Sequence, residues 1–114
     1  RHIEMHFAMY PPGAGYQRHL DQLQHHNHRI LSMVLYLNKN WEPAHGGELR
    51  IFLPEKQQGE NEGNGDEKMS EKWVDIAPVA GRLVCFRSDT VEHEVLTAFQ
   101  TRKSVTGWML DQPL

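Results

Sequence analysis

Arg29-Ile30-Leu31-Ser32-Met33-Val34-Leu35-Tyr36-Leu37 is the stretch that decides the fold. It is rich in branched and aromatic side chains and holds neither Gly nor Pro, so it reads as a strand. Similar, shorter runs flank it. His2 to Tyr10 is a strand that must end at Pro11-Pro12-Gly13-Ala14-Gly15, and extended structure resumes over Tyr16 to Asp21. Downstream come Glu48 to Leu53, Trp73 to Ile76, Gly81 to Arg87, His93 to Leu96 and Lys103 to Leu110, about eight strands in all. Helical periodicity is weak everywhere; only His19 to Arg29 offers any, and that stretch is short and polar. Short strands separated by turns predict a mainly all-β domain, a sandwich or jelly roll of two sheets whose mouth suits a small-molecule or metal site.

At 114 residues the chain has room for one core. It opens on Arg1 inside a strand, which points to a piece of a longer protein. The longest apolar runs are too short to span a bilayer, so no membrane partner is expected. The net charge of -3 arises in one biased stretch, Glu55 to Lys72, with six acids and three lysines. That stretch reads as a solvated, flexible loop inserted into a catalytic core covering 1–114. The remainder is neutral, with no basic face for a nucleic-acid backbone. Cys85 is the one cysteine, so an internal disulfide and a Cys-rich metal site are excluded. Its apolar surroundings predict a small core residue, and a reducing, cytoplasmic location fits.

The chemistry starts at His19-Leu20-Asp21. On an extended strand residues i and i+2 share a face, so this imidazole and carboxylate can bind one metal ion together. With eight histidines in the chain, such a pair alone is a chance-level pattern. A second imidazole, His93, opens the run after the turn Ser88-Asp89-Thr90. Two histidines and one carboxylate on one face make the facial triad of non-haem iron(II) oxygenases, with coordination positions left open. Nine residues beyond His93 comes Arg102, whose guanidinium could take the distal carboxylate of 2-oxoglutarate in a bidentate pair. Tyr36 and Thr106 carry hydroxyls on core strands that could support it.

Tyr10-Pro11-Pro12-Gly13-Ala14-Gly15-Tyr16-Gln17-Arg18-His19-Leu20-Asp21 resembles the first-ligand segment of the prolyl 4-hydroxylase and hypoxia-factor prolyl hydroxylase group of iron(II)/2-oxoglutarate dioxygenases. Leu35 to Trp41 and Gly46 to Phe52 resemble its next two strands. Pro78 to Asp89 with His93-Glu94-Val95 resembles its second-ligand region, and Arg102 to Trp108 its co-substrate strand. The resemblance runs in order over nearly the whole chain. It implies a double-stranded β-helix, with the supporting N-terminal helices of the family missing from this chain. It implies iron(II) on His19, Asp21 and His93, and 2-oxoglutarate and O2 as co-substrates. Ascorbate would be the reductant. Arg102 would bind the distal carboxylate of 2-oxoglutarate with Tyr36 and Thr106. Tyr16 would line the pocket near the iron, Tyr10 less directly, and Trp108 would pack beside the metal. The implied reaction is hydroxylation of a prolyl residue in a protein substrate, with release of succinate and CO2.

Other readings stay open. The same chemistry could act on free proline or another small molecule. A non-catalytic, cupin-like metal-binding jelly roll would need no arginine after the last ligand. Arg50 is a candidate substrate contact, though a structural arginine is the simpler reading. His25, His26 and His28 resemble a metal cluster but sit in a polar connection, where a solvated loop is the plainer reading.

Overall fold

The computed structural model of the chain describes residues 2–22, 28–54 and 71–111. Eight strands form: β1 (His2–Tyr10), β2 (Tyr16–His19), β3 (Arg29–Tyr36), β4 (Leu49–Phe52), β5 (Trp73–Ile76), β6 (Leu83–Arg87), β7 (His93–Val95) and β8 (Arg102–Leu110). A 3-10 turn, Pro43–His45, precedes β4. The strands pair antiparallel in two four-stranded sheets, of order β1-β8-β3-β6 and β2-β7-β4-β5. This interleaving of strands distant in sequence is the expected double-stranded β-helix. No described helix is long and apolar enough to cross a membrane.

Alternation along each strand decides what faces inward. On β3, Ser32, Val34 and Tyr36 are buried, while Leu35 is exposed. On β8, Arg102, Ser104 and Trp108 are buried. Cross-strand register seats Ser32 opposite Trp108, Val34 opposite Thr106 and Tyr36 opposite Ser104. Val34, Tyr36, Leu49 and Phe86 form the buried cluster, against which Ile51, Ile76, Val84, Val91 and Val95 pack.

The outer faces of the two sheets differ. On the second sheet, Arg50 forks onto Asp75 and also lies over the Trp73 ring, and Arg18 lies 3.7 Å above the Phe52 ring. On the first, Ile3, Met5, Phe7, Met9, Leu35 and Leu83 are all exposed. Cys85 lies on that same outer face and is exposed, against the expectation of a core cysteine. The reason is parity: Val84 packs on the core and Phe86 is buried within it, so the residue between them must point out.

Several predicted boundaries move by a residue or two. β6 begins at Leu83 because Gly81 adopts φ +89 and turns the chain. β2 ends at His19, and Asp21 lies in the bend that follows. Of the biased stretch 55–72, only Glu71 and Lys72 lie within the described residues; His25 and His26 lie outside them.

Candidate active site

Each ligand candidate is placed by a different piece of backbone. β2 carries His19 and β7 carries His93, and these residues are register partners across the second sheet. Asp21 arrives from the bend after β2. His19, Asp21 and His93 each offer a ligand atom, and these atoms all lie within 4.8 Å of one another. Asp21 Oδ1 is 3.3 Å from His19 Nε2 and 3.1 Å from His93 Nε2.

Those distances suit a shared ion. Bonds of about 2.1 Å to a first-row metal put neighbouring ligand atoms about 3 Å apart. The tautomers suit it as well. Nδ1 of His19 lies 2.7 Å from the Gln17 carbonyl, and Nδ1 of His93 lies 3.2 Å from the Val91 carbonyl. A carbonyl only accepts, so each Nδ1 carries a proton, and in the neutral ring each Nε2 presents its lone pair toward the carboxylate. Three acceptor atoms facing one another repel unless positive charge lies among them, supplied by a metal ion or, in its absence, by Nε2 protons that donate to Asp21. Tilted ring contacts steady the imidazoles: Tyr16 sits 4.2 Å from His19 and Phe86 4.6 Å from His93, centroid to centroid.

The electrostatics point the same way. Burial would push the Asp21 carboxyl up, but hydrogen bonds from His19, His93 and Ser32 outweigh it and hold the group well below the usual carboxylate range. Asp21 is therefore an anion at neutral pH. Burial would push the His19 imidazole down; its bonds to Asp21 and the Gln17 carbonyl outweigh that and raise it.

Arg102 opens β8 and is 4% exposed. Its Nε donates to the Gly47 carbonyl at 2.6 Å, and one terminal nitrogen lies 3.4 Å from the Tyr36 hydroxyl. Its guanidinium also sits over the Tyr10 and Tyr36 rings, at 5.2 and 5.1 Å. No carboxylate pairs with it among the described residues. A buried cation without a counter-ion is costly, and an anionic ligand would relieve that cost. Burial pushes the Tyr36 hydroxyl up, with Arg102 pulling it down by less, so the phenol stays protonated.

One cavity of about 420 Å³ joins these groups. Its walls include His19, Asp21, His93, Arg102, Tyr10, Tyr16, Tyr36, Thr106 and Trp108, so the structure gathers all nine sequence-predicted positions around one space. Val34, Leu49 and Phe86 add apolar wall. Arg50 does not line it; it faces outward from the second sheet in its fork with Asp75. His28 approaches Asp111 at 3.5 Å and is not part of the cavity wall.

Four residues escaped the sequence reading. Ser32 donates to Asp21 Oδ2, and Ser88 lies 2.8 Å from Ser32, both hydroxyls fully buried. His6 meets the Trp108 ring edge-on, and Arg29 stacks 3.7 Å over that ring while its Nε donates to Glu4. Ser32 did carry a signal: it is a polar residue at an inward position of the most apolar strand.

The family model described as the 2OG-Fe(II) oxygenase superfamily matches residues 5–110. The prolyl hydroxylase EGLN3 of Mus musculus is 38% identical over 108 residues, which are 91% of this chain and 38% of that protein. A hypoxia-inducible factor prolyl hydroxylase of Caenorhabditis elegans is 35% identical over 108 residues, covering 92% of this chain and 13% of its own length. Among solved structures, a Pseudomonas putida prolyl-4-hydroxylase superposes with TM-score 0.79 at 45% identity, over 98% of this chain and 54% of that one. A Trichoplax adhaerens prolyl hydroxylase, in complex with a hypoxia inducible factor oxygen degradation domain peptide, gives 0.78 at 31%, over 97% and 45%. The chain thus spans under two fifths of the first curated relative and about half of the P. putida structure.

Proposed function

The chain belongs to the 2OG-Fe(II) oxygenase superfamily, and on that premise we propose that it is the catalytic core of an iron(II)- and 2-oxoglutarate-dependent dioxygenase that hydroxylates a prolyl residue in a protein. The observation that carries the proposal is the pairing, across one cavity, of a three-ligand cluster with a buried arginine that has no carboxylate partner among the described residues. A cupin-like metal binder accounts for the first feature and leaves Arg102 without a purpose. Similarity to relatives named prolyl hydroxylases supports the choice of proline.

In this reading His19, Asp21 and His93 hold the metal. Bound there, iron(II) supplies the redox chemistry that turns O2 and 2-oxoglutarate into succinate and CO2 and leaves one oxygen atom on a substrate C–H carbon. The protein's own work is placement. Arg102 grips the distal carboxylate of 2-oxoglutarate, and the protonated Tyr36 hydroxyl adds a donor. Thr106 supplies another hydroxyl on the same inward face of β8. Val34, Leu49 and Phe86 keep water from the reacting centre. Tyr16 and Trp108 flank the metal side, where a substrate would enter. The proposal includes ascorbate as the reductant that keeps iron divalent, and a cytoplasmic location. The test is to incubate the protein with a panel of proline-containing peptides, iron(II), 2-oxoglutarate and ascorbate. At least one peptide should gain a single oxygen on proline by mass spectrometry. Oxygen gained only on free proline, or only on another residue type, would sink the substrate assignment.

Gly47 offers a sharper probe of the co-substrate end. It has φ +74, and a Cβ added there would lie 2.9 Å from Arg102 Cδ and 3.2 Å from its Nε. Gly47→Ala should cost about 1–3 kcal/mol from the backbone conformation alone, read as a lower melting temperature. It should also raise the KM for 2-oxoglutarate by displacing the guanidinium, while iron affinity at the far end of the cavity stays near wild type. Unchanged KM would show that Arg102 is not set by this contact.

A further inference from the structure

We infer that a hydrogen-bond brace formed by Ser32, Ser88 and Trp108 restricts the Asp21 carboxylate to a single metal-facing oxygen, which makes these three the positioning residues of the metal centre. The inference rests on the metal-site reading above. The two carboxylate oxygens have different surroundings. Oδ1 faces both imidazoles. Oδ2 accepts from the Ser32 hydroxyl and, at 2.8 Å, from the Trp108 indole N–H.

The direction of the relay follows from proton counting. A serine hydroxyl has one proton to give, and an indole nitrogen only donates. Ser32 spends its proton on the carboxylate, so toward Ser88 it can only accept, and Ser88 is the donor across their 2.8 Å contact. Ser88 is itself pinned. Its N–H donates to the Ile30 carbonyl at 3.1 Å, and its carbonyl accepts from the N–H of Gln22, the residue after Asp21. Ser32 stands in register with both Trp108 and Phe86, so the brace is anchored in the middle of the first sheet.

Two fully buried hydroxyls in a strand-built core are costly unless bonded, and here their bonds converge on one carboxylate oxygen. A carboxylate with both oxygens free can close on a metal through both and consume one of the positions that 2-oxoglutarate and O2 require. With Oδ2 held by two donors, Asp21 has Oδ1 alone to offer. Electrostatic complementarity adds to this, because hydrogen bonds to an ionised acceptor are about twice as strong as neutral ones.

The probe is manganese(II) alone, added to the purified protein without 2-oxoglutarate. Calorimetry counts bound ions, and water-proton relaxation per bound ion reports how many waters the ion holds. Three ligand atoms leave three positions of six, so loss of one should lower the relaxation per bound ion by about one third. We expect that fall in Trp108→Phe and in Ser32→Ala, and recovery in Ser32→Thr, which restores the hydroxyl. Unchanged relaxation per bound ion in Trp108→Phe and Ser32→Ala overturns the brace, even if both variants melt at lower temperature. So does a fall that Ser32→Thr fails to reverse. If a serine variant does not fold, Trp108→Phe alone decides. Failure of the underlying reading looks different: wild-type protein would bind no manganese, or Asp21→Ala would bind it equally well.

Discussion

Asp21→Ala should abolish turnover of 2-oxoglutarate and strip the site of its metal. Loss of an outer hydrogen-bond partner typically costs about 10–100-fold in metal affinity or activity. Asp21 is a ligand candidate itself and brings the negative charge of the cluster, so its removal should exceed that range. The fold should respond more mildly. Ser32 Oγ and Trp108 Nε1 lose their acceptor, at about 1–3 kcal/mol per stranded group. Against that, the burial cost of the carboxylate disappears. Asp21→Asn separates the two effects, because its amide oxygen can still accept from Ser32 and Trp108 while the charge is gone. It should melt near wild type and still fail to turn over. Calorimetry with iron(II) under anaerobic conditions, alongside melting curves, reads both. Near-normal iron binding in Asp21→Asn would mean that the carboxylate charge is not what holds the metal.

Arg102→Met carries the second large effect, and it falls on a different ligand. Truncating one member of a buried charge pair costs about 2–5 kcal/mol, roughly 30-fold to several thousand-fold in binding. The KM for 2-oxoglutarate should rise by that factor, with iron affinity unchanged. Stability should move little, because two terms oppose. The Gly47 carbonyl loses its donor, while a buried cation without a carboxylate partner among the described residues is removed. A variant that stays folded and cannot hold co-substrate is the signature of a binding residue. Arg102→Lys should fall between, since the ammonium keeps the charge and loses the planar fork that matches a carboxylate. Steady-state kinetics over a range of 2-oxoglutarate concentrations distinguishes these outcomes. A collapse in melting temperature with normal KM would instead make Arg102 a structural residue.

Much of this site was legible before any coordinates. Short runs of branched and aromatic residues marked the strands, and residue chemistry with the family resemblance singled out Tyr36, Arg102 and Thr106, which lie on the inward faces of β3 and β8. The pairing of His19 with His93 needed the interleaved topology, which the family resemblance supplied and local pattern could not. The geometry linking His19 to Asp21 was misjudged. An unbroken strand was expected to align them, yet β2 stops at His19 and a bend swings Asp21 to the same ion. Cys85 went astray for a related reason: hydrophobic neighbours predict burial only when the parity of the strand is known. Ser32 and Ser88 lie 56 positions apart, and only the register of β3 against its two neighbours brings both under Asp21.

The proposed function requires one cavity to join an iron centre on His19, Asp21 and His93 to a co-substrate anchor at Arg102. Production of succinate from 2-oxoglutarate tests it most directly, with wild-type protein, Asp21→Ala and Arg102→Met compared under air at saturating iron(II) with ascorbate and a proline-containing peptide substrate. Wild type should form succinate that depends on both iron and O2, Asp21→Ala none above background, and Arg102→Met should recover only at greatly raised 2-oxoglutarate. Succinate formed by both variants at the wild-type rate, at low 2-oxoglutarate, would contradict the proposed function.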